Sequence, residues 1–267
     1  MKQNLSIAIQ ASLDAGKAIL EVYSSNDFNV EIKGDSSPLT KADKNANDVI
    51  NSYLIKTSIP IISEENKQLD YSERKDWDTC WIVDPLDGTK EFIKRNGEFT
   101  VNIALVKNGN PILGVIYVPV SKTLYFTNED ATASYRIDLE DENISIDYIL
   151  SKASEIKPQS ENPSIVKIVG SRSHLNEDTK AFISEISAKK KVEIVSKGSS
   201  LKFCLVAEGE ATIYPRYAPT MEWDTAAGQA ICQASGVMVI DNNTKEPLQY
   251  NKENLLNPYF LVKINEE

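Results

Sequence analysis

The chain has 267 residues, 41% hydrophobic and 25% charged, the composition of a globular enzyme long enough for two cooperating lobes. Its formal net charge of −10 argues against nucleic-acid binding and against electrostatic attachment to anionic lipid. The same field repels a polyanionic substrate, so phosphate chemistry here requires metals or a few placed cations that reverse the sign locally.

No run approaches the ~18 apolar residues of a membrane-spanning helix, so no integral membrane segment is expected. Met1-Lys2-Gln3-Asn4-Leu5 lacks the apolar core of a signal peptide. Three cysteines, Cys80, Cys204 and Cys232, have no metal-ligand spacing; without an export signal they read as reduced thiols, and a cytoplasmic location is expected. Cys204 and Cys232 sit in apolar helical patterns and read as core residues. The single histidine, His174, excludes catalysis built on several imidazoles.

In chain order, Leu5 to Tyr23 carries apolar residues at helical spacing, and Asn29 to Ile32 reads as a short strand. Thr40-Lys41-Ala42-Asp43 opens a second helix with Thr40 as N-cap. Ile59 to Ile62 is a strand ending in Ser63-Glu64-Glu65. Trp81 to Val83 is a buried strand that delivers Asp84 to its end, where Pro85 blocks further ladder pairing and Gly88 permits a reversal. Thr100 to Val106 and Ile112 to Val118 form a hairpin through Asn108-Gly109, and Leu124 to Thr127 continues the sheet. Residues 128–163 read as acidic and irregular, with a weak strand around Ser134 to Leu139; the lobe boundary falls in Glu155 to Asn162, giving lobes 1–160 and 161–267. Beyond it strands and helices alternate: strand Ile165–Val169, helix Glu177–Ala188, strand Val192–Val195, helix Ser199–Glu208. Strand Ala211–Tyr214, helix Thr225–Ala234 and strands Val237–Ile240 and Phe260–Ile264 complete the chain.

The corner at Asp84 is the chemically suggestive segment. Asp84, Asp87 and the Leu86 carbonyl make a hard-oxygen site suited to Mg²⁺, and the N–H groups of Gly88 and Thr89 face an anion if a helical turn begins there. An isolated Asp-x-x-Asp-Gly is more often a surface turn. Ser63-Glu64-Glu65 adds a carboxylate pair at a strand end, although alone it reads as a solvated loop. Asp224 begins an Ala-rich helix, where it reads as an ordinary N-cap, and Thr40 to Asp43 reads as a simple cap. Together Glu64, Asp84, Asp87 and Asp224 all sit at ends of regular elements, where rigid scaffolds present functional groups. Lys202 reads as the solvated face of its helix.

Pro38-Leu39-Thr40-Lys41-Ala42-Asp43, Ser63-Glu64-Glu65, Asp84-Pro85-Leu86-Asp87-Gly88-Thr89 and Trp223-Asp224-Thr225-Ala226-Ala227-Gly228 resemble the signature of the lithium-sensitive, Mg²⁺-dependent phosphomonoesterases, the superfamily of inositol monophosphatase and fructose-1,6-bisphosphatase. Val83 to Asn102, Ser171-Arg172-Ser173-His174 and Gly198 to Cys204 are similar to its bacterial 3′(2′),5′-bisphosphate nucleotidase branch; Lys90-Glu91-Phe92 stands where inositol monophosphatases usually read Thr-Asn-Phe.

The resemblance implies a mixed α+β fold, a two-lobed layered αβαβα sandwich with the site between the lobes. It implies that Glu64, Asp84, the Leu86 carbonyl, Asp87 and Asp224 ligate two or three Mg²⁺ ions, with the phosphate against the metals and the Gly88 and Thr89 N–H groups. Thr89 and Glu64 orient and deprotonate a water, and Asp43 holds the Thr89 hydroxyl. Gly198 and Ser199 line the substrate; Arg172 pairs with a 5′-phosphate, and His174 meets the base, although an isolated histidine at a helix entry is more often structural. The implied reaction removes the 3′-phosphate of adenosine 3′,5′-bisphosphate, and 3′-phosphoadenylyl sulfate is a second candidate. Alternatives are a phosphatase of the same fold acting on inositol phosphates or a sugar bisphosphate, or a non-catalytic nucleotide or metal sensor.

Overall fold

A computed structural model describes residues 2–25, 31–32, 38–141, 144–158, 165–170 and 176–264. In chain order these form α1 (Lys2–Tyr23), β1 (Glu31–Ile32), β2 (Pro38–Leu39), α2 (Lys41–Leu54), β3 (Ile61–Ser63), α3 (Tyr71–Arg74), β4 (Thr79–Asp87), α4 (Thr89–Ile93), β5 (Thr100–Lys107), β6 (Asn110–Val118), β7 (Thr123–Thr127) and β8 (Ser134–Asp138). There follow α5 (Ile146–Lys152), β9 (Ser154–Ile156), β10 (Ile165–Gly170), α6 (Glu177–Ser187), β11 (Lys191–Ser196), α7 (Leu201–Ala207), β12 (Ile213–Arg216), α8 (Glu222–Ala234), β13 (Val237–Asp241) and β14 (Phe260–Ile264).

Strands β3 to β9 form a seven-stranded sheet in sequence order, and a five-stranded sheet has the order β11-β10-β12-β14-β13. In the large sheet only β3 and β4 run parallel; every later neighbour is antiparallel. That is what short connections permit, as at Asn108 and Gly109, whose φ values of 49° and 75° supply the two left-handed positions of a tight hairpin.

The large sheet is buried on both faces, which explains why its strands read as apolar runs. Alternation then sorts side chains into two cores. Trp81, Val83, Val101, Ile103, Leu105, Leu113, Val115, Tyr117, Leu124 and Phe126 face α1 and α2. Cys80, Ile82, Ala104, Val106, Ile116, Val118 and Tyr125 face the other way, toward α7, α8 and the small sheet. Helix α8 therefore lies between the two sheets, and α6 lies along β11. The layering is mixed α+β, helices and sheets in alternation, as expected. The same parity puts Asp84 and Asn102, paired across β4 and β5, on the α8 side.

Several expectations are corrected. The strand at Trp81 runs on through Pro85 to Asp87: the ladder breaks between Asp84 and Asp87 and resumes at Asp87 opposite Thr100, so proline interrupts pairing without ending the strand. After Asn128 the expected strand is present as β8, but the stretch is more regular than its polarity suggested, holding α5 and β9 as well among its described residues. α3 was not expected; it is a single turn, too short for a periodic signal. The helix expected from Ser199 starts at Leu201, because Ser199 is left-handed at φ 48°. All three cysteines are buried and free, in keeping with a core role for Cys204 and Cys232. Among the described residues no helix is long and apolar enough to cross a membrane.

The seating of α8 depends on Gly114 of β6. A Cβ there would lie 2.5 Å from the Ala227 carbonyl oxygen and 2.8 Å from Ala230 Cβ, so helix and sheet touch where the side chain is missing. Gly114→Ala must push α8 off the sheet; overpacking of this kind costs about 1–3 kcal/mol. A urea titration should show that loss with an unchanged slope, and an unchanged midpoint would mean that the contact does not set the helix position.

Candidate active site

Asp84 is 1% exposed and is fixed by its own turn: its Oδ1 accepts the Leu86 N–H at 3.0 Å. Glu64 follows β3, its N–H donating to the Val83 carbonyl at 3.1 Å, so it stands beside the same strand end. Asp224 arrives from the first turn of α8. It is not the N-cap expected from sequence: Met221 caps the helix, and Asp224 Oδ2 accepts the Met221 N–H at 2.9 Å. Carboxylate oxygens of Asp84, Asp87 and Asp224 all lie within 4.8 Å of one another. Glu64 stands outside that group of three but close enough to act on it electrostatically.

The electrostatics follow from crowding. Burial, then the charges of Glu64, Asp87 and Asp224, raises the Asp84 carboxyl well above the usual carboxylate range. Burial and the neighbouring Asp87 raise Asp224 likewise, against the Met221 N–H that favours its anion. Such a set of hard oxygens suits a divalent cation such as Mg²⁺, which would replace mutual repulsion by attraction.

Beside the cluster lies the Thr89 hydroxyl. It donates to Asp43 Oδ1 at 3.2 Å, while Asp43 Oδ2 accepts the Thr40 N–H at 2.8 Å and the Thr40 hydroxyl at 2.5 Å. The cap of α2 thus has a second use: it holds a buried carboxylate in the orientation that Thr89 meets. Gly88 has φ +98° and α4 begins at Thr89, the helical turn on which the anion reading depended.

Asp87 and Asp224 also wall a cavity of about 50 Å³, with Ser199, Lys202, Tyr214, Arg216 and Thr220 among its other lining residues. That is room for about three or four waters. Lys202 is not on a solvated face: it is 7% exposed, its Nζ donates to the Ser199 carbonyl at 2.6 Å, and it sits 5.6 Å from the Tyr214 ring centroid. Burial lowers its pKa to about 8, with the Asp87 charge opposing that shift. Ser199 Oγ, Arg216 Nε and Thr220 Oγ1 are buried around the cavity without hydrogen-bond partners among the described residues. Lys202, Arg216 and Thr220 were missed in the sequence because a helical lysine, the arginine that ends β12 and a loop threonine carry no local sign of the cavity they meet. Gly198 is held by its N–H donating to Glu98 Oε2 at 2.9 Å. Arg172 and His174 lie outside the described residues.

The chain as a whole resembles known proteins. The sequence model of the inositol monophosphatase family matches residues 1–263, so the chain belongs to that family of phosphatases. It is similar to the 3′(2′),5′-bisphosphate nucleotidase CysQ of Escherichia coli O6:H1, 43% identical over 259 residues that cover 96% of this chain and 97% of the relative. The solved structure of CysQ from Bacteroides thetaiotaomicron superposes with a TM-score of 0.88 at 51% identity, covering 99% of this chain and 98% of that one. Thermotoga maritima IMPase, 23% identical with a TM-score of 0.72 over 98% of this chain and 92% of that one, shares the fold.

Asp84 offers a direct test of the crowding. A carboxyl whose folded pKa is raised contributes stability that is complete below its unfolded pKa near 4 and lost as pH rises through the higher folded value. Metal-free protein should therefore melt lower at pH 8 than at pH 6, and Mg²⁺ should remove the difference. Asp84→Asn, an uncharged isostere, should stabilise the metal-free protein at pH 8 by about 1–2 kcal/mol while abolishing turnover. A destabilised Asp84→Asn protein at that pH would contradict the repulsion.

Proposed function

We propose that this chain is a Mg²⁺-dependent 3′(2′),5′-bisphosphate nucleotidase that hydrolyses the 3′-phosphate of adenosine 3′,5′-bisphosphate to AMP and phosphate. The observation that carries this reading is a shared wall: Asp87 and Asp224 belong both to the carboxylate cluster and to the cavity lined by Lys202 and Arg216. The carboxylates take a phosphate only through a divalent cation, whereas the two cations take one directly. A substrate with two phosphates satisfies both halves. Inositol 1-phosphate brings no second anion to Lys202 and Arg216. The activity named for the Escherichia coli relative supports the same substrate class. 3′-Phosphoadenylyl sulfate, which carries the same 3′-phosphate, is a second substrate under this reading.

Asp84, Asp87, Asp224, Glu64 and the Leu86 carbonyl would hold two or three Mg²⁺ ions. Bound there, Mg²⁺ supplies Lewis-acid charge to the phosphoryl oxygens and acidifies the attacking water. The protein's own groups do the rest. Thr89 gives its hydroxyl proton to Asp43, so its oxygen lone pairs accept from the water and align it. Glu64, at the end of β3, takes the proton, and as the bond from phosphorus to the ribose O3′ breaks, a water gives that oxygen a proton. The N–H groups of Gly88 and Thr89 have no intrahelical acceptor and receive the phosphate oxygens. We assign the 5′-phosphate to Lys202 and Arg216 together with Arg172, the base to His174, and the lining of the substrate to Gly198 and Ser199.

Phosphate release should require Mg²⁺, vanish with chelator, and favour the nucleotide bisphosphate over inositol 1-phosphate; equal rates on both would overturn the substrate assignment. Lys202→Met should lower kcat/KM for the bisphosphate about 10–100-fold, as expected for hydrogen bonds to a charged group, yet barely affect adenosine 3′-monophosphate. In the unaltered protein KM for the bisphosphate should climb above about pH 8, as Lys202 loses its proton. A flat profile would remove Lys202 from the site.

A further inference from the structure

Asp87 is held by a hydrogen-bond chain that begins in the large sheet. Asn102 sits opposite Asp84 in the β4–β5 ladder, and its Nδ2 donates to Ser200 Oγ at 2.9 Å. Ser200 Oγ lies 2.6 Å from Asp87 Oδ2 and 2.8 Å from the main-chain carbonyl oxygen of Asp224. Asn102 is 1% and Ser200 2% exposed, so water does not compete. Counting protons fixes the direction. Asn102 can only donate from its nitrogen, and Ser200 then has one proton for two acceptors. The carboxylate is charged and closer, so it takes the larger share. One serine hydroxyl thus touches the carboxylate from the β4 corner and the backbone of the α8 turn that carries Asp224.

We propose that Ser200, oriented by Asn102, is the positioning residue that presets Asp87 as a metal ligand. With Oδ2 engaged by Ser200, Asp87 Oδ1 is left to meet the cation, and the carboxylate's rotation is set before the metal arrives. Contact with the Asp224 carbonyl ties that rotation to the second ligand-bearing element. Groups that orient a metal ligand in this way typically contribute 10–100-fold to metal affinity. The inference rests on the metal-site reading above, but not on the choice of substrate.

The test is a titration of metal-free protein with Mn²⁺, following free Mn²⁺ by electron paramagnetic resonance, for the wild type, Ser200→Ala, Asn102→Ala and the double variant. Ser200→Ala should weaken Mn²⁺ binding about 10–100-fold. Asn102→Ala should lose less in the same direction, and the double variant should bind no more weakly than Ser200→Ala, because both act through one oxygen. The circular dichroism spectrum of each metal-free variant at the titration temperature should match the wild type. Mn²⁺ affinity of Ser200→Ala within about twofold of wild type overturns the proposal, since positioning groups move it more. So does a loss of affinity accompanied by a changed spectrum, which would mark general structural damage. A wild type that binds no Mn²⁺ would refute the metal site itself.

Discussion

Asp84, Asp87 and Asp224 repel one another at close quarters, Asp84 buried and the other two partly so, and much of the structure serves to hold them there. Their carboxylate oxygens lie within 4.8 Å of one another. Burial and the neighbouring carboxylates raise the pKa values of Asp84 and Asp224. A site of this kind is unfavourable without a cation and correspondingly receptive to one.

The restraint comes from three directions. β4 fixes Asp84 through its ladder and the Leu86 N–H. Ser200 holds Asp87. The start of α8 is anchored by Glu222, which is fully buried and accepts from Lys252 Nζ at 2.5 Å and from the N–H groups of Asn251 and Lys252 at 2.6 and 3.0 Å. Arg74 extends this anchor by donating to Asn251 Oδ1 at 2.9 Å and the Glu253 carbonyl at 2.8 Å. A short helix from the first half of the chain and a loop near its end thereby brace the turn that presents Asp224. Across the cavity of about 50 Å³, Lys202 and Arg216 bring two cations to the wall that Asp87 and Asp224 share, in a chain of net charge −10.

The sequence revealed the parts of this arrangement that depend on local rules. The apolar run Trp81 to Val83 leads to Asp84 at the break in the β4–β5 ladder, Asn108-Gly109 closes a hairpin, and Thr40 with Asp43 makes a cap that also serves Thr89. The misreadings share a cause. Lys202 read as solvated because its burial comes from β12 and the loop before α8, which a helical pattern cannot display. Asp224 read as an N-cap because the helix starts two residues earlier at Glu222, a charged residue that tertiary contacts bury. Pro85 read as a strand end, whereas an irregular pairing lets β4 continue past it. Short elements such as α5 and β9 gain their stability from neighbours, and their own residues say little.

The central claim is that Mg²⁺ relieves a buried clash of carboxylates. Calorimetric titration of Mg²⁺ into the metal-free protein at pH 7, repeated in buffers of different ionisation enthalpy, counts the protons exchanged on binding. Carboxyls held partly protonated by burial and by one another must lose those protons to bind the metal, so net proton release is predicted. Release should disappear in Asp84→Asn along with binding. Tight Mg²⁺ binding with no proton release would mean that Asp84 and Asp224 are already fully charged without the metal, and the account would fail at its base.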